Sequence, residues 1–213
     1  MWVYLPKDYT ASTKKYPVIY MHDGQNLFRQ NRETLSGWTI DEALNDINAQ
    51  VIVIGIESDT NQQYGKNKTD EYLAFIVEML KPKIDATYRT KTNAHNTCIM
   101  GSSLGGAVSF YAALKYPEVF GKVGCFFPAF GFNRAELLVL LAKTETFKAK
   151  VYFLCGDREN NPEMLSDITL VEHWVNTKRC ECKKLNKKVI VKGGQQDEEL
   201  WRESFKKAYL WLF

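Results

Sequence analysis

The sequence predicts an open, mostly parallel β-sheet wound by helices on both faces, and two observations carry that expectation. Short β-branched and aromatic runs alternate with longer amphipathic stretches along the chain, the order that builds a parallel sheet with helical crossovers. Most of the strand-like runs are nearly continuously apolar, as strands covered on both faces are. With 213 residues the chain is long enough for one domain with a sizeable core. No internal repeat, low-complexity tract or linker divides it, so residues 1–213 are expected to form a single domain.

Strands are expected at Trp2–Leu5, Val18–Met21, Val51–Ile56, Thr97–Met100, Val123–Phe127, Val151–Leu154 and Val189–Val191. Between them the spacing predicts a short helix over Ile40–Ile47 and a long one over Thr69–Tyr88. Thr69 can cap the long helix, Asp70 and Glu71 suit its first turn, and Tyr72, Phe75, Ile76, Met79 and Leu80 form its apolar face. Pro82 should kink or split it. Helices follow at Leu104–Tyr116, ended by Pro117, at Arg134–Ala142, at Pro162–Thr177 with Asn161 as cap, and at Glu198–Leu212. The aromatic stripe of the last helix, Trp201, Phe205, Tyr209, Trp211 and Phe213, is expected to face the core.

Composition excludes some roles. The net charge of +3 is small and the basic residues are scattered, densest from Lys178 to Lys188. Neither a nucleic-acid nor a membrane partner is therefore expected. No apolar run reaches the ~18 residues of a membrane span. The opening Met1-Trp2-Val3-Tyr4-Leu5-Pro6 lacks a charged leader, so a cytoplasmic setting is expected, or a start after a removed secretion signal. Cys98, Cys125 and Cys155 fall in apolar runs and read as buried free thiols. Cys180 and Cys182 form a C-x-C without a second ligand cluster, so no metal site is expected.

The chemistry concentrates at Gly101-Ser102-Ser103-Leu104-Gly105, a G-x-S-x-G pentapeptide. A buried strand precedes it and a helix follows, which places Ser103 at the sharp strand-to-helix turn of an α/β-hydrolase nucleophile elbow. Such a turn strains the serine backbone, and glycines on either side permit close approach of helix and strand. The turn would lift the Ser103 hydroxyl out of the sheet and leave the Leu104 N–H facing a developing oxyanion. A second oxyanion donor is expected after an earlier strand, where Gly24 would let the chain turn and present the N–H of Gln25. Neither G-x-G-x-x-G nor a P-loop lysine is spelled here, which removes nucleotide-binding readings.

Met21-His22-Asp23-Gly24-Gln25-Asn26-Leu27-Phe28, Trp38 to Leu44, Tyr88-Arg89-Thr90 and Met100 to Gly106 together resemble the esterase family of α/β-hydrolases. That family includes enterochelin esterases, feruloyl and acetyl-xylan esterases, esterase D and the antigen 85 mycolyltransferases. The similarity runs in order over almost the whole chain, through Tyr111 to Gly124 and Gly193 to Phe205. It implies hydrolysis or transfer of a carboxylic ester, small-molecule or carbohydrate, through an acyl-serine intermediate without any cofactor. It also implies a carboxylate after the Val151–Leu154 strand, where Glu159 is favoured and Asp157 is the alternative. Asn26 and Tyr64 are the expected substrate contacts. Nothing in the sequence fixes an oligomeric state.

The chain departs from the family at one decisive place. Relatives carry the catalytic histidine after the last strand; here the segment reads Gly193-Gly194-Gln195-Gln196-Asp197-Glu198, with Gln196 at the histidine position. A glutamine amide offers no basic lone pair near neutral pH. The other histidines are His22 beside the oxyanion loop, His95 at the far end of the elbow strand and His173 within a helix; only His22 is placed near enough to be weighed as a substitute base. An impaired esterase is the first reading, whether the glutamine is natural or engineered. A pseudoesterase that binds an ester or carbohydrate without cleaving it is the second, and an acyltransferase, needing the same triad, is the third. A further departure is the short polar loop from Glu57 to Lys68, where relatives have a longer one, so the cleft is expected to be shallow or differently shaped.

Overall fold

A computed structural model describes residues 1–28, 37–57, 64, 68–132, 134–158, 162–178 and 185–213. The apolar runs form β1 (Trp2–Tyr4), β2 (Val18–Met21), β3 (Ile52–Gly55), β4 (Thr97–Ser102), β5 (Lys122–Phe126), β6 (Lys150–Gly156) and β7 (Asn186–Val191). They pair as one seven-stranded sheet in the order β1-β3-β2-β4-β5-β6-β7. Strand β1 runs antiparallel to β3, and the remaining neighbours are parallel. Every residue of β2, β3, β4 and β5 is buried, which is why those strands carry no polar alternation.

Several strands outrun their apolar runs because the ladder, not side-chain polarity, sets their ends. Strand β4 continues through Gly101 and Ser102, which pair with Cys125 and Phe126. Strand β7 starts at Asn186, opposite Val151, and carries Lys187 and Lys188 on the sheet edge. An edge strand leaves one side open to water, so it tolerates such residues.

The helices are α1 (Ile40–Asp46), α2 (Lys68–Ala74), α3 (Lys81–Thr87), α4 (Leu104–Lys115), α5 (Arg134–Lys143), α6 (Pro162–Thr177) and α7 (Glu198–Leu212). Between α2 and α3 the chain does not break at Pro82. It widens into a π-type turn over Phe75–Leu80, with the Lys81 N–H reaching back to the Ile76 carbonyl. That wider turn accommodates a proline that lacks an N–H and would crowd the carbonyl four residues earlier. The turn also redistributes the apolar face. Tyr72, Ile76, Leu80 and Ile84 are buried, whereas Phe75 and Met79, expected with them, are exposed. Thr69 is a second correction: it lies inside α2 and is buried rather than capping the helix. Asn161, Glu159, Cys180 and Cys182 lie outside the described residues, as does the loop from Glu57 to Lys68 apart from its two end residues and Tyr64.

In α7, Phe205 and Tyr209 are buried and Trp201 and Trp211 are half-buried; Phe213, expected to face the core, is exposed instead because it lies past the helix end at the last residue. Trp201 and Phe205 pack on Trp38, whose ring also meets Phe126 at a centroid distance of 4.9 Å. This cluster ties α7 to the end of β5. Cys98, Cys125 and Cys155 are buried thiols outside any disulfide. Among the described residues, no helix is long and apolar enough to cross a membrane, and no group of three or more His, Cys, Asp or Glu could hold a metal ion.

Candidate active site

Backbone strain gathers at the carboxyl ends of three neighbouring strands. Asp23 after β2, Ser103 after β4 and Phe127 after β5 have φ values of 57°, 52° and 47°. Such conformations are costly for residues with a side chain and concentrate at functional sites. The carboxyl edge of an open parallel sheet is also where such folds place ligands.

Ser103 is the most unusual of the three, with φ 52° and ψ −120°, outside the basins that L-residues favour. Its surroundings hold it there. The Ser103 N–H donates to the Phe126 carbonyl at 2.9 Å, and the Ser103 carbonyl accepts from Ala107 at 3.2 Å and Ala129 at 3.0 Å. A Cβ on Gly101 would lie 2.8 Å from the Gly105 carbonyl carbon and 2.9 Å from His22 Cδ2. Glycine is required at that crossing of strand and helix.

Leu104 opens α4, so its N–H precedes the helical ladder and is one of the donors the helix leaves over. Gln25 sits in a 3₁₀ turn, Gly24–Asn26, directly after β2, and β2 is the hydrogen-bonded neighbour of β4. The turn is fixed by Gly24 N–H to the Ile56 carbonyl and Asn26 N–H to the Asp23 carbonyl, both at 2.8 Å. The two expected oxyanion donors therefore stand on adjacent strand ends. Asn26 is exposed, and its carbonyl receives the Trp38 N–H at 2.9 Å. Tyr64 is placed differently from an open-cleft residue: it is 2% exposed and packs edge-on against His22 and Tyr72.

Gln196 is half-buried in the connection from β7 to α7. The ends of that connection are well anchored. Asp157, just after β6, accepts the Gly193 N–H through Oδ1 at 2.5 Å. Asp197 caps α7 by accepting the Leu200 N–H at 2.8 Å. Glu198 accepts the Gly37 N–H at 2.7 Å, and Arg202 donates to the Gly37 carbonyl from Nε and Nη2. Among the described residues, no hydrogen bond joins Gln196 to Ser103.

The family description “Putative esterase” matches residues 1–212. The chain belongs to this esterase family. The uncharacterized protein YbbA of Bacillus subtilis (strain 168) is 23% identical over 235 residues, covering 99% of the chain and 91% of YbbA. An endo-1,4-beta-xylanase/feruloyl esterase of Xylanibacter ruminicola is 28% identical over 169 residues, covering 74% of the chain and 22% of that protein. Among solved structures, a ferulic acid esterase superposes with a TM-score of 0.74 at 15% identity, covering 99% of the chain and 91% of its own. The enterobactin esterase FES of Shigella flexneri gives a TM-score of 0.75 at 18% identity, covering 99% of the chain and 54% of its own. These likenesses agree with the α/β-hydrolase fold that the sequence predicts.

None of the three histidines of this esterase-family chain is placed as an exposed base beside Ser103. His22 is 2% exposed and lies beneath the elbow, with Nδ1 2.8 Å from the Tyr72 hydroxyl. Burial pushes its pKa down from 6.5 to about 3, too low for a useful base at neutral pH. Its Nε2 has no hydrogen-bond partner among the described residues. His95 lies in the turn before β4, at the opposite end of that strand from Ser103. His173 is exposed on α6.

Sequence reading missed the Gly37 clamp and the Asp197 cap. Glu198 and Arg202, spaced i and i+4, hold the two sides of the Gly37 peptide, one accepting its N–H and the other donating to its carbonyl. Asp197 just ahead of the acidic first turn was the legible signal for the cap.

Proposed function

We propose that the chain is a serine carboxylic-ester hydrolase, acting as one domain, whose site lacks a general base. Ser103 is the nucleophile, the N–H groups of Gln25 and Leu104 receive the oxyanion, and Glu159, or alternatively Asp157, is the acid. The strained Ser103 backbone between β4 and α4 is the observation that carries this reading. A merely structural turn could place glycine there and avoid the strain.

In the full mechanism, a base at position 196 removes the Ser103 proton as Oγ attacks the ester carbonyl. The oxyanion donors stabilise the tetrahedral intermediate, and the protonated base then delivers its proton to the departing alcohol. Gln196 can hydrogen-bond a hydroxyl but cannot take up that proton. The native chain therefore retains the binding and oxyanion parts of the machinery while its nucleophile stays protonated. A small-molecule or carbohydrate ester is the substrate class, and the feruloyl esterase activity in one relative's name supports that choice.

Brief exposure to p-nitrophenyl acetate followed by peptide mass spectrometry tests the assignment. The Gln196→His chain should carry an acetyl group on the Ser103 peptide, and Ser103→Ala in that background should carry none there. Acetylation only at lysines or another serine would overturn it.

A further inference from the structure

We propose that Asp157 is a positioning residue: its carboxylate staples the β7–α7 connection and so holds position 196 over the sheet edge. The inference rests on the functional reading above and narrows it, because it removes Asp157 from the candidates for the triad acid.

Beyond β6 and β7 the two segments remain zipped together. The Asp157 N–H donates to the Val191 carbonyl at 3.2 Å, and the Arg158 N–H donates to the Gly194 carbonyl at 3.1 Å. The Gly194 N–H turns back to the Val191 carbonyl at 3.0 Å. Within that turn Gly193 adopts φ +73°, a conformation suited to glycine. Its N–H is received by Asp157 Oδ1 at 2.5 Å. The approach is so close that a Cβ on Gly156 would lie 2.0 Å from the Gly194 oxygen.

At the other end the connection is fixed by the Asp197 cap and by the hold of Glu198 on Gly37. Only Gly194, Gln195 and Gln196 lie between Gly193 and Asp197. Position 196 is thereby set by a short span fixed on both sides, with Asp157 as its β7-side anchor. Oδ1 is committed to the turn, and the charge that a triad acid would direct to the base is what the asparagine variant removes.

Asparagine and alanine separate the two roles. Asparagine keeps a carbonyl oxygen for the Gly193 N–H but removes the charge; alanine removes both. In the native chain, Asp157→Ala should speed hydrogen exchange of the Gly193 amide by about tenfold or more, the scale of a lost charge-assisted bond. Asp157→Asn should stay within about threefold. In the Gln196→His background, Asp157→Ala should lower kcat for p-nitrophenyl acetate by about tenfold with KM little changed, as a shift in catalytic geometry does. There too, Asp157→Asn should lose less than Asp157→Ala does. Unaltered Gly193 exchange in Asp157→Ala would overturn the staple. So would a fall of kcat in Asp157→Asn to the level of the native Gln196 chain, the mark of a triad acid replaced by its amide. If the Gln196→His chain hydrolyses nothing, the functional reading fails, while exchange at Gly193 still decides the staple.

Discussion

His22 makes the fold sensitive to acid in a way that can be calculated and isolated. Its imidazole is enclosed by the Tyr64 and Tyr72 rings and by Gly101 and Gly105 of the elbow. Burial lowers its pKa from 6.5 to about 3 in the folded chain. Between those values the unfolded chain binds a proton that the folded chain refuses, so stability is fully present above pH 6.5 and falls as the pH drops toward 3. At pH 4 the loss from this one group is about 3 kcal/mol, taking ~1.4 kcal/mol per pH unit. Urea unfolding at pH 7 and pH 4, on the native chain and on His22→Asn, isolates the effect. Asparagine can still hydrogen-bond the Tyr72 hydroxyl, and although the variant is less stable at pH 7, its loss on acidification should be about 3 kcal/mol smaller than the native chain's. Equal losses in the two chains would refute the argument and show that His22 takes up a proton in the folded state.

Three other perturbations follow from the packing. Trp38→Ala should cost about 3–5 kcal/mol in the same unfolding assay, because a ring only 2% exposed joins Phe126, Trp201 and Phe205. Gly156→Ala should destabilise by about 1–3 kcal/mol or more, since its methyl group would meet the Gly194 oxygen at 2.0 Å; an unchanged midpoint would contradict that packing. Ser103→Gly should be more stable than Ser103→Ala by about 1–2 kcal/mol, because glycine alone relieves a backbone at φ 52°, and equal midpoints would argue against strain at the elbow.

The order of strands and helices was legible because apolar runs and their periodicity report local burial. What the sequence concealed depended on distant parts of the chain. Gly101 and Ser102 belong to β4 through their pairing with β5, although small residues carry no strand signal of their own. Phe75 and Met79 left the buried face of their helix because the π-type turn before Pro82 changed its register, and apolar periodicity assumes a regular helix. The strained turn at Ser103 was readable because it is local: glycines, strand and helix are adjacent in sequence. The burial of His22 and Tyr64 was not, since it depends on Tyr72 packing in from α2. The hold of Glu198 and Arg202 on Gly37 spans more than 160 residues, beyond the reach of any local pattern.

In the proposed function, position 196 is the missing base of an otherwise built ester-hydrolysing site. Steady-state hydrolysis of p-nitrophenyl acetate by the native chain and by Gln196→His, with Ser103→Ala of each as the blank, tests it most directly. Turnover by the histidine form should exceed the native rate by about 10³-fold or more and should vanish with Ser103. Both forms remaining at the Ser103→Ala level would contradict the account.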